Sequence, residues 1–168
     1  MSRDKSSMVW VGLGLISLGI VLMFAQLIGW EKIWPIFPLL GGVAFLVGYV
    51  VGGFKESGLV FVGVGAILVG LFFFAFTLGT FEWGDMGTLW PIFLLIGGLA
   101  FCALFLAERG RDLGTLGVGC VAFVVGLVGL AITLGLIGTD IVKYWPLLLI
   151  FLGLVVLVGG LFQLLRRE

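Results

Sequence analysis

The stretch Trp-Pro-Ile-Phe-Leu-Leu-Ile-Gly-Gly-Leu-Ala-Phe at residues 90–101 has a near copy, Trp-Pro-Ile-Phe-Pro-Leu-Leu-Gly-Gly-Val-Ala-Phe, at residues 34–45. A more diverged version, Trp-Pro-Leu-Leu-Leu-Ile-Phe-Leu-Gly-Leu-Val-Val, occupies residues 145–156. Each version opens a long apolar run, and successive Trp-Pro pairs are separated by one-third of the chain. The chain is therefore predicted to be one helical hairpin written three times.

Each Trp-Pro pair has a physical meaning at the start of a membrane helix. Tryptophan is amphipathic and prefers the level of the lipid headgroups. Proline at the first helical position loses no hydrogen bond, because that N–H has no intrahelical partner. The pairs are therefore predicted to mark the outer N-termini of helices that return to the cytoplasm. These turn residues are Trp34, Pro35, Trp90, Pro91, Trp145 and Pro146. An extra proline, Pro38, is expected to loosen the first turn in the first copy.

Composition excludes a soluble domain. Hydrophobic residues make up 62% of the 168 residues, charged residues make up 11%, and the mean hydropathy is +1.35. Six stretches contain no Lys, Arg, Asp or Glu, and each is long enough to cross the hydrocarbon, which takes about 20 residues. They are roughly 8–29, 33–54, 58–81, 88–107, 114–139 and 144–165. The runs are continuously apolar, whereas the strands of a membrane barrel alternate between apolar and polar residues.

Basic residues in the loops predict the orientation. Seven of the nine lie on the side of the two termini, and Lys32 and Lys143 lie on the other. Because cytoplasmic loops carry the excess of Lys and Arg, both termini are predicted to be cytoplasmic. The expected fold is an all-α membrane protein with six transmembrane helices in three parallel-repeat hairpins, related by an approximate threefold axis along the membrane normal. Residues 1–168 form a single transmembrane domain with repeats at 8–54, 58–107 and 114–165, and the predicted location is the bacterial cytoplasmic membrane, in which the chain is multi-pass.

The helices that leave the cytoplasm carry glycines at seven-residue spacing, which places them on one helix face. Glycine lets another backbone approach closely, so these stripes are predicted to be helix-packing surfaces. They comprise Gly12, Gly19, Gly63, Gly70, Gly119 and Gly126. Each stripe ends in a polar residue: Gln26, Thr77 and Thr133. These three side chains either line a polar collar around the threefold axis or bond to neighbouring backbone near the helix ends.

Catalytic and cofactor chemistry is missing from the sequence. The chain has no His, no carboxylate pair in a span and no nucleophile beside a base. Its Gly-x-Gly motifs lie inside apolar helices, so they are not nucleotide-binding loops. We therefore expect no enzyme activity, no cofactor, no metal and no nucleic-acid partner. Cys102 and Cys120 are interpreted as small apolar filler.

The pattern of a glycine-spaced apolar helix, a short turn and Trp-Pro before a second glycine-containing helix resembles the LiaI/LiaF-type transmembrane region of bacterial membrane proteins. Residues 145–154 give the closest match. The resemblance implies a membrane anchor or sensing partner in the cell-envelope stress response. A weaker similarity is to HdeD-like proteins, which are six-helix membrane proteins built from short repeats.

Two functions remain open at this point. The first is a non-enzymatic membrane anchor or interaction module, with membrane lipids and a membrane or membrane-associated protein as partners, acting in envelope stress response or homeostasis. The alternative is a small channel or a carrier for a lipid or other small molecule, which would use a cavity between the hairpins. Assembly into a homo-oligomer through exposed small-residue faces is compatible with both.

Overall fold

In the computed structural model, residues 3–144 are described, together with residues 150, 153 and 157. This part of the chain is helical and contains no strand. Its helices are α1 (Arg3–Ile28), α2 (Trp30–Ile33), α3 (Ile36–Val51), α4 (Gly58–Thr77), α5 (Met86–Leu89), α6 (Ile92–Ala107) and α7 (Leu113–Thr133). Short 3-10 helices cover Trp83–Asp85 and Thr139–Tyr144. The predicted span 144–165, with Trp145 and Pro146, lies almost entirely outside the described residues.

Several helices are long and apolar enough to cross a membrane. Three qualify by themselves: Trp30–Val51, Gly58–Thr77 and Leu113–Thr133. A fourth crossing results if Trp83–Leu89 and Ile92–Ala107, which are bent by 61°, form one span. The first helix contributes a shorter apolar stretch, Val11–Leu27. The chain is therefore a helical membrane protein by length and composition, while the six crossings and the threefold arrangement stay predictions.

The Trp-Pro pairs interrupt the helices at the positions where proline removes a backbone donor. Pro35 and Pro91 are the N-cap residues of α3 and α6, whereas the sequence predicted them at the first helical position. A single helical turn precedes each proline. Pro38 does not delay its helix, because α3 begins at Ile36 just as α6 begins at Ile92. It lies in the first turn, where a backbone N–H has no intrahelical partner.

The helices α3 and α6 end in the same way, 56 residues apart. Phe54 N–H donates to Tyr49 O at 3.0 Å, and Gly110 N–H donates to Phe105 O at 3.0 Å. Each bond closes a Schellman-type turn, which needs left-handed backbone. In the turn after α6, Arg109 adopts the left-handed conformation with φ 58°, although a side chain normally disfavours it.

Three pairs of long helices pack together. The closest are α3 with α4 and α6 with α7, and α4 also packs against α6. In the first two pairs the helices are antiparallel and joined by the turns at 52–57 and 108–112. We call this end of the molecule the basic end, and the opposite end, where Trp34 and Trp90 lie, the Trp-Pro end.

Two apolar clusters hold the Trp-Pro end together. One contains Phe72 and Phe76 of α4 with Leu89 and Ile96, and the other contains Val21 and Ala25 of α1 with Ile33. The α1 cluster is much smaller, because Val21 and Ala25 replace two phenylalanines. Helix α1 is thus fastened near its C-terminal end only, among the residues described.

Candidate functional site

The first close approach between helices joins α3 and α4, and we call it the first seam. A Cβ added to Gly42 would lie 2.6 Å from the carbonyl oxygen of Gly63. One added to Gly63 would lie 2.8 Å from the Leu46 side chain, and one added to Gly70 would lie 2.7 Å from Cγ of Leu39. The backbones therefore meet where side chains are missing, as is typical of membrane helices.

The second seam joins α6 and α7 at positions 56 residues further along the chain. A Cβ on Gly98 would lie 2.7 Å from the backbone nitrogen of Phe123. On Gly119 it would lie 3.1 Å from the carbonyl oxygen of Gly98, and on Gly126 it would lie 2.8 Å from Cδ2 of Leu95. The two seams thus have the same construction at equivalent residues.

The seams involve two glycines that the stripes did not include. The seven-residue spacing assigned Gly63, Gly70, Gly119 and Gly126 to packing faces, whereas Gly42 and Gly98 were predicted only to be equivalent positions of the repeats. The signal for their role was present in the sequence, because both follow a Trp-Pro pair at the same distance. Each supplies the opposing side of a seam.

The remaining glycine stripe, on α1, is open. Within the described part of the chain, no atom lies within 4 Å of a Cβ added to Gly12 or Gly19. Ile16, which lies between them on the same face, is 63% exposed. We call Gly12, Ile16 and Gly19 the α1 stripe.

A second open face belongs to the C-terminal region. Ile150 is 65% exposed and Leu157 is 61% exposed. A Cβ added to Gly153 meets no atom of the described residues within 4 Å. Spacings of three and four residues place all three on one side of a helix. We call Ile150, Gly153 and Leu157 the C-terminal face.

The three polar residues proposed for a collar have different surroundings. The hydroxyl of Thr77 donates to the carbonyl of Phe74 at 3.2 Å, and that of Thr133 donates to the carbonyl of Leu130 at 3.1 Å. The side chain of Gln26 is exposed. Both threonines therefore use their hydroxyls within their own helices, which is the arrangement expected of the structural alternative.

The Trp-Pro turns contribute buried prolines as well as tryptophans. Pro35 and Pro91 are fully buried. Cβ of Pro91 lies 3.2 Å from the position of a Cβ on Gly129, so the ring packs directly on α7. Trp90 is half exposed, whereas Trp34 packs against Phe73 with ring centroids 4.9 Å apart.

A polar cleft of about 400 Å³ opens at the basic end, between the turns that follow α3 and α6. Ser57 donates to Oε1 of Glu108 at 3.4 Å, and Oε2 of Glu108 is buried without a hydrogen-bond partner among the described residues. The charged residues that line the cleft are Lys55, Glu108, Arg109, Arg111 and Asp112. The basic residues at this end were predictable from the sequence, but the cleft was not.

The described residues contain no group of three or more His, Cys, Asp or Glu that could hold a metal ion. Cys102 and Cys120 form no disulfide in this part of the chain. No family model matches the chain, and no curated protein or solved structure matches it. The similarity to LiaI/LiaF-type regions therefore stays a prediction.

Proposed function

We propose that this chain is a non-enzymatic, multi-pass protein of the bacterial cytoplasmic membrane that acts as an anchor and interaction module. The observation that carries the proposal is the open α1 stripe. Equivalent glycines of α4 and α7 receive another helix, but those of α1 receive none among the described residues. The stripe is thus a surface shaped to accept a transmembrane helix.

The exposure of α1 supports this proposal. Leu13 is 52% exposed, Leu15 is 64% exposed and Met23 is 55% exposed. Such a surface is stable only against lipid or another apolar helix. Lipid covers any apolar face equally well, whereas a glycine stripe favours a helix, because close backbone contact increases van der Waals attraction.

We propose six crossings in three like-oriented hairpins, with both termini in the cytoplasm. The two seams support the repeat, since equivalent residues 56 positions apart make equivalent contacts. The concentration of Lys and Arg at the basic end supports the orientation. A role in envelope stress response rests on the resemblance to LiaI/LiaF-type regions and is the most specific part of the proposal.

Site-specific photocrosslinking in native membranes tests the interaction function. A photoreactive amino acid at Ile16, on the α1 stripe, is expected to give a discrete adduct with another polypeptide chain. Val62 is the matched control, because it is 43% exposed on α4 and belongs to neither seam. Its adducts should be with lipid. Lipid adducts alone at both positions would refute the interaction function.

A further inference from the structure

The two open faces of the molecule have complementary shapes. In the first seam, α3 presents Leu39, Gly42 and Leu46, and α4 presents Gly63, Ile67 and Gly70. The built Cβ of Gly42 is 2.6 Å from Cγ1 of Ile67, so this isoleucine lies directly beside the opposing glycine. The Leu-Gly-Leu face of α3 therefore packs on the Gly-Ile-Gly face of α4.

The second seam repeats these two series. On α6 the corresponding residues are Leu95, Gly98 and Cys102, and on α7 they are Gly119, Phe123 and Gly126. Contacts join Leu95 to Gly126 and Gly98 to Phe123. Both seams thus place a large aliphatic residue three residues before one glycine and a bulky apolar residue four residues after the opposing glycine.

The open faces carry the same series at the same spacing. The C-terminal face has Ile150, Gly153 and Leu157, in register with the α3 and α6 residues. The α1 stripe has Gly12, Ile16 and Gly19, in register with the α4 and α7 residues. The α1 stripe and the C-terminal face are therefore the two halves of one further seam.

Among the described residues the two halves do not meet within one molecule, because a Cβ added to Gly12, Gly19 or Gly153 meets no atom of another element. Ile16, Ile150 and Leu157 are each more than 60% exposed, which a seam would not allow. We propose that the C-terminal face of one copy packs on the α1 stripe of a second copy. This inference rests on the proposed function and names the partner of the α1 stripe.

Symmetry favours a closed pair. When each copy gives its C-terminal face and receives one on its α1 stripe, both contacts are satisfied by a twofold axis. In the proposed topology α1 leaves the cytoplasm and the last span returns to it, so the two open faces of two like-oriented copies would meet antiparallel, as the described seams do. The expected assembly is a reciprocal dimer.

Disulfide crosslinking between two differently tagged copies tests the pairing. One copy carries Gly19→Cys and the other carries Ile150→Cys, and Cys102→Ala and Cys120→Ala remove the native thiols from both. At the equivalent pair, Gly70 and Leu39, a Cβ built on Gly70 lies 2.7 Å from Cγ of Leu39, which is the place that a cysteine sulfur would occupy. The two cysteines would therefore be close enough for a disulfide. Mild oxidation in membranes should give a product with both tags at twice the chain mass of 18.0 kDa.

The matched control replaces Gly19→Cys by Gly14→Cys, which is the same type of substitution on the other side of α1. It should give little mixed-tag product. Placing Gly19→Cys and Ile150→Cys in a single chain separates the outcomes. An intramolecular disulfide without mixed-tag product would overturn the proposal in favour of closure within one chain, and the absence of both products would also overturn it. A photoadduct of Ile16 with a different protein, without a mixed-tag product, would leave the proposed function intact.

Bulky substitutions give a second test that does not depend on disulfide geometry. A Cβ at Gly12, Gly14 or Gly19 meets no described atom, so the fold of one copy should tolerate each change. Gly12→Leu with Gly19→Leu is expected to lower dimerisation about tenfold or more, because overpacked contacts separate the helices. Gly14→Leu, on the other side of α1, should leave dimerisation unchanged. Equal dimerisation of both variants would overturn the proposal.

Discussion

Gly97 and Gly98 are chemically identical neighbours with opposite surroundings. A Cβ on Gly97 meets no described atom within 4 Å, but one on Gly98 would lie 2.8 Å from the carbonyl oxygen of Gly119. The obstructing atoms at Gly98 belong largely to the α7 backbone, which cannot rotate away as a flexible side chain can. Only the second glycine is therefore required for helix packing.

Gly98→Ala is expected to destabilise the protein by about 1–3 kcal/mol, because α6 must move away from α7. Gly97→Ala should not destabilise it, since alanine favours helix and the site has space. Unfolding in detergent, followed by circular dichroism or tryptophan fluorescence, measures both. A loss of the same size for the two variants would contradict the packing described for the second seam.

Arg109 holds the left-handed backbone that its counterpart, Gly53, adopts with φ 73°. Glycine adopts this conformation without steric strain, but arginine does not. The chain therefore retains a strained residue at the basic end, where its charge contributes to the predicted orientation.

Replacing Arg109→Gly should stabilise the folded protein by about 1 kcal/mol, because the strain of the left-handed side chain is removed. Arg111→Gly is the control, since it removes the same charge from the same turn but not from a left-handed position. It should give no stabilisation. Denaturant titration of the two variants and the parent measures the difference, and a gain shared equally by both would argue against backbone strain.

At the scale of single elements, α4 and α7 begin differently although they occupy equivalent places. Asp112 caps α7 by accepting the N–H of Gly114 at 2.9 Å and the hydroxyl of Thr115 at 3.0 Å. Ser57 precedes α4 but makes no capping bond, because its hydroxyl donates to Glu108. Of these two helices, α7 has a side-chain cap at its start and α4 has none.

We expect Asp112→Ala to lower stability by about 1 kcal/mol, the usual effect of losing an N-cap. Asp112→Asn should keep most of the stability that the cap contributes, because an amide oxygen accepts the same hydrogen bonds. Ser57→Ala serves as the equivalent change at an uncapped helix and should shift stability by less than about 0.5 kcal/mol, because the hydrogen bond that it removes, to Glu108, is long at 3.4 Å. Thermal melts in one detergent compare the three. Equal losses at positions 57 and 112 would be inconsistent with the observed caps.

Helix positions were largely predictable from the sequence, but their breaks were not. The charge-free run 58–81 contains α4, and the run 114–139 contains α7 apart from its first residue, Leu113; both helices end a few residues before their runs do. Hydropathy extends past Thr77 and Thr133 because it does not register the glycines with positive φ, Gly79 and Gly135, that end these helices. The single turns α2 and α5 also escaped prediction, since they depend on how Pro35 and Pro91 pack.

At the scale of the whole molecule, the basic and Trp-Pro ends are chemically distinct. Lys55, Arg109 and Arg111 line the cleft at one end, while Trp34 and Trp90 lie at the other. Positive residues remain in the cytoplasm and tryptophans rest at the headgroups. The proposed orientation places the cleft in the cytoplasm.

Accessibility of single cysteines in intact cells tests this orientation. Both probes use the Cys102→Ala and Cys120→Ala background. Thr80→Cys, near the Trp-Pro end, should react with an impermeant maleimide added outside, whereas Lys55→Cys should react only after permeabilisation. Both positions are exposed, so a difference in labelling reports the side of the membrane on which each residue lies. Labelling of Lys55→Cys from outside would reverse the topology.

The candidate site was predictable only in part. Seven-residue spacing identified the glycine faces of α4 and α7, but spacing on one helix does not reveal which neighbour occupies the face. The hairpins were expected to pair helices joined by outer loops, as α4 and α6 are. Both seams instead join helices across turns at the basic end, because Gly42 and Gly98 lie on helices that precede those turns.

Because the seams lie between consecutive hairpins, the open faces at the two ends of the series are different. Each seam connects the end of one hairpin to the beginning of the next, so any number of hairpins in series leaves one unmatched half at either terminus. Adding a hairpin by gene duplication would lengthen such a series without creating a new kind of interface. A longer series would still have two different open faces, one at each end. Only closure into a ring or contact with a second molecule would cover both of them.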